Sequence, residues 1–262
     1  MGPSKDTALD QVESKLSRVP LIGDILGRAI RQGIDDVIQG PRTGRWNIAD
    51  LEKTEKSYIG TRIEIEVRAG LGVERGKKLD YLIEGHEVDL KFSIKYGGWM
   101  IPREAQDEIC LVLSANDSKH LFWAGLIRAD KDVLRPGKNQ DRKGSVSAAG
   151  RDKIRWLVRE GKLAKNFFMH DLEQRARDLI FAQPPGQARV NELFLQCERR
   201  VIPGSAIVAA ATEVDDSAPR VAVAAQELKQ MEILDGNKED ARRRAQVLNI
   251  RLLPGHYVAI CR

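Results

Sequence analysis

The sequence predicts an α/β protein in two parts. An N-terminal mixed sheet flanked by helices is followed by a mainly helical C-terminal region that closes on short strands. Three observations lead there. Apolar residues recur at helical spacing over the first forty positions, short alternating runs replace them between 79 and 127, and beyond 165 amphipathic and Ala-rich stretches return between Pro-Gly breaks. A length of 262 residues suits two domains of ordinary size.

Leu9, Val12 and Leu16 mark a first helix, and Ile22, Ile25, Leu26, Ile30 and Ile34 a second, with Pro20 as the break between them or the opening residue of the second. The loop Gly40-Pro-Arg-Thr-Gly-Arg-Trp-Asn47 reads first as a surface turn pinned by a buried Trp46, with phosphate contact by Arg42 and Arg45 as the sharper alternative. From Ile48 to Val67 the pattern is ambiguous. Leu51, Tyr58, Ile59, Ile63 and Val67 fit a helix, while Ile63, Ile65 and Val67 also alternate as in a strand.

A hairpin is centred on Glu84-Gly85, and further strands are expected at Ile109–Leu113 and Leu121–Ile127. The polar, basic segment Arg135–Gly144 reads as a mobile loop, solvated or in contact with a DNA backbone. Periodicity fades around Leu157–Ala164, which is read as an inter-domain linker. Helical stretches follow at Asp171–Phe181, Gln187–Arg200, Ala206–Thr212 and Ala222–Met231. The runs Val247–Leu253 and His256–Ile260 could pair around Pro254-Gly255. Helices closing on a small hairpin are compatible with a winged helix-turn-helix.

The chemistry is concentrated in the hairpin. A two-residue turn at Glu84-Gly85 sets Ile83 against His86, Leu82 against Glu87, Tyr81 against Val88, and Asp80 against Asp89. Two carboxylates at a cross-strand pair have Cβ atoms about 5 Å apart and repel; a divalent cation between them turns repulsion into binding. Alternation places Glu87, Asp89, Lys91 and Ser93 on one face and Val88, Leu90, Phe92 and Ile94 on the other. Two acids and a lysine on one face suit metal-dependent phosphodiester hydrolysis, in which Lys91 orients the water or meets the charge of the transition state. The bland reading of Asp-x-Lys is a solvated strand face with a weak ion pair. Glu64 is the best candidate for a third ligand, with Glu66 as its rival and Glu87 as a carboxylate further out.

Composition narrows the field. With 42% apolar and 31% charged residues the chain is of globular type, and no run approaches the roughly 18 apolar residues of a membrane span. The first residues lack a basic stretch followed by an apolar core, so a cytoplasmic location is expected. Cys110, Cys197 and Cys261 are widely spaced and suggest neither a zinc site nor a disulfide frame, and the four histidines show no metal-ligand spacing. There is no nucleophile elbow and no nucleotide-binding Gly-Lys-Ser/Thr loop. A formal charge of +5 leans towards a polyanion partner.

Asp80 followed by Asp89-Leu90-Lys91 resembles the PD-(D/E)xK nuclease signature, with Leu79 where proline gives that motif its name. Four segments extend the resemblance to the NaeI-type restriction endonucleases. They are Arg42-Thr-Gly-Arg-Trp-Asn47, Lys53-Thr-Glu-Lys56 with Gly60, the hairpin itself, and Gly186-Gln-Ala-Arg-Val-Asn-Glu-Leu-Phe194. The resemblance implies a restriction-endonuclease-like domain over residues 1–158, a linker at 159–164 and a catabolite-activator-like helix-turn-helix domain over 165–262. It implies a homodimer in a bacterial cytoplasm, acting on double-stranded DNA with Mg2+ at a palindromic, GCCGGC-like site while a second DNA copy is bound as effector. The implied catalytic set is Glu64, Asp80, Asp89 and Lys91, with the three acids as metal ligands, and Glu64 then belongs on a helix. DNA contact is expected from Arg42, Arg45, Lys53, Lys56, Lys95, Arg189 and Asn191.

The chain departs from the family's type member in two places. Val37-Ile-Gln-Gly40 lacks the acid of a ligase-like segment, so topoisomerase-like behaviour is not expected, and the C-terminal part is shorter. Two other readings stay open. One is a nicking endonuclease of mismatch-repair type with the same active-site chemistry; the other is a non-catalytic, sequence-specific DNA-binding regulator.

Overall fold

The computed structural model describes residues 6–135, 143–212 and 217–262. In chain order the elements are α1 (Thr7–Ser17), α2 (Ile22–Ile38), α3 (Gly40–Thr43), α4 (Lys53–Leu71), β1 (Glu74–Arg75), β2 (Tyr81–Ile83), β3 (His86–Ser93), β4 (Met100–Ile101), β5 (Ile109–Asn116), β6 (Leu121–Arg128), β7 (Leu134–Arg135), β8 (Gly144–Val146), α5 (Ala148–Asp152) and β9 (Arg155–Lys162). There follow α6 (Phe167–His170), α7 (Gln174–Ala182), α8 (Gln187–Gln196), β10 (Val201–Pro203), α9 (Gly204–Ala211), α10 (Ser217–Glu227), β11 (Met231–Asp235), α11 (Glu239–Val247) and β12 (His256–Cys261). They form two compact units. The first runs to Ile38 and resumes over Ile48–Lys165; the second combines Gln39–Asn47 with Asn166–Arg262.

The first unit is built on a mixed sheet of order β1-β2-β3-β5-β6-β9, in which only the β3–β5 pair is parallel. One face packs on α1, α2 and α4 through Leu9, Val12, Leu16, Ile30, Ile34, Ile59, Ile63 and Val67 against Tyr81, Val88, Leu90, Leu111 and Phe122. The opposite face buries Leu79, Trp99, Cys110, Val112 and Ile127 beside a small sheet of order β4-β8-β7. The ambiguous stretch before residue 67 is thus helix. Ile59, Ile63 and Val67, four residues apart, are all fully buried, whereas Ile65 is 37% exposed. A reciprocal Glu52/Glu55 capping box starts α4, and left-handed Gly72 ends it.

The stretch 159–164, expected as a linker, is instead mostly strand. β9 runs to Lys162 as the edge partner of β6, and the boundary between units falls after Lys165. Register shifts near Phe122 and Ala124 interrupt the pairing, which explains why no period-two pattern survives there. Of the basic loop 135–144, residues 136–142 lie outside the described residues.

In the second unit, Phe168, Ile180, Val190, Leu193, Phe194, Ile207, Ala224 and Tyr257 share one core. The expected terminal hairpin does not form. β12 lies at the centre of the sheet β10-β12-β11 and pairs antiparallel with both neighbours, while Val247 ends α11 with 82% exposure. Val258 and Ala259 are fully buried, so this strand belongs in the middle of a sheet and not at its edge. α11 carries no apolar stripe beyond Ala241 and Ala245, which hid it from periodicity. Met231, expected to end a helix, begins β11.

Candidate active site

The hairpin forms in the expected register, with Tyr81 opposite Val88, Leu82 opposite Glu87 and Ile83 opposite His86. Both turn residues have positive φ, 51° at Glu84 and 79° at Gly85, as a tight turn matched to the strand twist requires. Asp80 falls one residue before β2. Its Oδ2 accepts the Leu90 N–H at 2.7 Å, which ties the acid to β3 beside Asp89.

Asp89 is 4% exposed. Its Oδ2 is shut off from water and lies 2.7 Å from Lys91 Nζ, an ion pair without hydrogen-bond alignment, and the same ammonium also donates to the Leu90 carbonyl at 2.9 Å. The ion pair is therefore real as charge proximity but leaves the oxygen underused. Burial pushes the Asp89 carboxyl up to about 6; Lys91 opposes the rise, while Asp80 and Glu104 add to it. Burial likewise raises Glu64 above the usual carboxylate range, and Asp80 raises it further against the pull of Arg68, Lys91 and Arg75. Glu64 is carried by α4, and the Tyr81 hydroxyl donates to its backbone carbonyl at 2.9 Å, locking helix to hairpin. Two acids raised by burial, each also raised by Asp80, are groups suited to a cation.

The rival acids have other partners. Glu66 shares Arg62 with Asp36. The Glu87 carboxylate accepts the N–H groups of Lys77, Lys78 and Leu79 at 2.8, 3.2 and 2.9 Å, which clasps the loop leading into Asp80 and holds Glu87 below the usual range. Glu104 was not found from sequence. The 3-10 turn Arg103–Ala105 that carries it is brought near by Cys110, the register partner of Asp89, whose Sγ lies 3.8 Å from the Ala105 carbonyl. A three-residue turn has no periodicity to reveal it.

Comparisons with known proteins bear on the family of the chain. The family model described as restriction endonuclease NaeI matches residues 10–261. The type II restriction enzyme NaeI of Lentzea aerocolonigenes is 37% identical over 223 residues, covering 82% of this chain and 69% of that enzyme. The chain belongs to the NaeI restriction endonuclease family. It is accordingly a restriction endonuclease, a site-specific nuclease of double-stranded DNA.

The remaining candidates of this NaeI-family chain are placed as follows. Lys53 and Lys95 are exposed, and Lys56 Nζ donates to the Ala49 carbonyl at 3.1 Å. Arg42 is exposed and bonds Gln39 within its own turn at 2.5 Å. Trp46 packs between Phe168 and Phe181 at 5.3 and 5.1 Å between ring centres, with Arg177 over its ring; a Cβ on Gly40 would lie 2.4 Å from that indole. Arg45 is half-buried beside it. Arg189 lies over Phe181 and donates to the Gln183 carbonyl, and Asn191 donates to Glu227 at 2.5 Å. Both α8 side chains thus brace the second unit's own helices. Among the described residues no helix is long and apolar enough to cross a membrane.

Proposed function

We propose that this chain is a Mg2+-dependent type II endonuclease that acts as a homodimer in a bacterial cytoplasm, cutting a palindromic, GC-rich site with Glu64, Asp80, Asp89 and Lys91. The shielded Asp89 oxygen near Asp80, which in turn interacts with Glu64, is the observation that carries the reading. Asp80, Asp89 and Glu64 are oxygen donors of the kind Mg2+ takes, and Asp80 keeps one oxygen outside its bond to Leu90. When bound, the ion supplies Lewis acidity and a more acidic water. Lys91 is held within reach of Asp89 on an 8-residue strand that pairs on one side with β5, so its ammonium is preorganised towards the scissile phosphate and meets the charge that develops there. Tyr81 and Glu87 keep α4 and the loop before Asp80 in place while this happens.

For the second unit we propose a winged helix-turn-helix that holds an effector DNA. The succession α8, β10, α9, α10, β11, β12 with sheet order β10-β12-β11 supports it, as does the α9–α10 pair; α11 stands where the wing would be. The outward residues of α10 include Ala222, Val223, Ala225 and Gln226, a surface poor in hydrogen-bond donors. Effector contact there would therefore rest more on shape and apolar contact than on hydrogen bonds to base edges.

Digestion of plasmid and genome-sized DNA with and without Mg2+, followed by sequencing of the ends, tests the reading. Linear product with one recurrent end sequence is expected. Accumulation of nicked circles would favour the mismatch-repair-type alternative, and specific retention without cleavage would favour a regulator.

A further inference from the structure

The catalytic side chains share their sheet face with an aromatic cluster that the nuclease chemistry does not use. β3 alternates so that Asp89, Lys91 and Ser93 point one way. Ser93 pairs with Ser114 of β5, and Ser114 pairs with Trp123 of β6. Trp123 therefore lies two residues along and two strands across from Lys91, about 12 Å away at sheet spacings. Tyr96, in the turn that leaves β3, packs against Trp123. Its ring centre lies 5.8 Å from Trp99 and 5.1 Å from Trp123, both edge-on, and 6.2 Å from Trp156, nearly parallel. Trp99 is fully buried and donates its indole N–H to the Leu113 carbonyl at 2.6 Å, so the cluster is anchored in the sheet.

Tyr96 is 46% exposed, and Ile94 and Met100, near it in sequence, are exposed as well. Cations flank it: Lys95 is exposed, and the exposed Arg159 holds its guanidinium 5.2 Å from the Trp156 ring centre. A large ring supported by three indoles cannot collapse into the core, so holding it rigid in solvent leaves apolar area unused until a partner covers it. Rigid aromatic surface with flanking positive charge suits a nucleic-acid partner, whose bases offer π faces and whose phosphates match the cations.

We propose that Tyr96, backed by Trp99, Trp123 and Trp156 and flanked by Lys95 and Arg159, stacks on the substrate duplex as a wedge at a tilted base step. This inference rests on the nuclease reading. Because the cluster and Lys91 share one sheet face, Tyr96 meets the same duplex at or just outside the edge of a short recognition site, which makes it a substrate-binding residue.

The test uses the full chain with Lys91→Ala to prevent cutting, and compares Tyr96→Ala and Tyr96→Phe in that background. The probe is a duplex carrying GCCGGC, with 2-aminopurine in place of adenine in an A·T pair that directly flanks the site. Tyr96→Ala should raise the Kd roughly 5- to 150-fold, the range for loss of one base–aromatic stack. It should also abolish the 2-aminopurine fluorescence change on binding, whereas Tyr96→Phe keeps both near the parent. Circular dichroism and melting confirm that each variant is folded. Equal binding by Tyr96→Ala and its parent, with the same fluorescence change, would overturn the proposal. So would a sedimentation shift towards monomer with per-dimer binding intact, because the patch would then be covered by a second copy of the chain. The comparison is read from binding alone; cleavage by the unaltered protein checks the nuclease reading separately.

Discussion

Asp89 combines burial with a charge that nothing in the protein fully satisfies. Its folded pKa, about 6, lies above its usual value, so between about pH 4 and 6 the native state keeps a proton that the unfolded chain has released. Stability of the metal-free protein should therefore fall as pH rises through that window, by about 2–3 kcal/mol at 1.36 kcal/mol per pKa unit. The difference between wild type and Asp89→Asn in urea melts should trace this loss and level off above pH 6; a difference that does not change with pH would contradict it. Asp89→Ala and Lys91→Ala should each lower cleavage at least about 100-fold while duplex binding survives, which a gel cleavage assay run beside an anisotropy titration will show. Glu87 acts at one remove. Removing its carboxylate in Glu87→Ala frees three backbone N–H groups before Asp80 and should slow cleavage roughly 10- to 100-fold, the usual effect of losing a support behind a metal ligand. In this variant the Mg2+ concentration giving half-maximal rate should rise, a readout that general loss of stability would not move.

At the scale of elements, the hairpin and α4 together carry the candidate site. Alternation along β3 supplies Asp89 and Lys91, the Glu84-Gly85 turn sets their register against Asp80, and α4 delivers Glu64 through a helix face buried on the same sheet. The turn is the sensitive point, since a β-branched residue at Gly85 would have to adopt φ near 79°. Gly85→Val should cost about 1–3 kcal/mol in strain, measurable in denaturant melts, and should reduce cleavage more than Gly85→Asn, because asparagine tolerates the left-handed region. These parts were legible because each rests on a local signal: a turn residue, a period of two, a period near four. β9 and α11 were not. The first loses its alternation at a bulge, and the second has almost no apolar face.

Over the whole molecule, the division into units does not follow the chain. Gln39–Asn47 leaves the first unit to seat Trp46 among Phe168 and Phe181 and then returns. Ending the chain near residue 165 would therefore strip Trp46 of its aromatic partners, and such a fragment should aggregate even if its catalytic sheet is intact. Trp46→Ala in the full chain should instead destabilise the second unit by about 2–3 kcal/mol, less than for a fully buried tryptophan. If that unit holds an effector DNA, the variant should weaken the dependence of cleavage on a second DNA copy while single-turnover cutting at saturating DNA changes little. Titrating an uncut duplex carrying the site into the reaction measures this.

The sequence by itself determined the hairpin that carries the candidate site, its register, the sharing of one face by Asp89 and Lys91, and, through its likeness to a family, the kind of reaction. Those features depend on neighbours within about ten residues, where turn chemistry and alternation act directly. Only the tertiary structure showed where the other acids lie. Glu66 turns to Arg62, Glu87 clasps a loop, and Glu104 approaches from a distant turn. It also placed Tyr96 among three indoles drawn from β6, β9 and the turn beyond β3, and it brought Trp46 to a core more than a hundred residues away. Such partnerships are set by packing between elements far apart in the chain, and no local period records them.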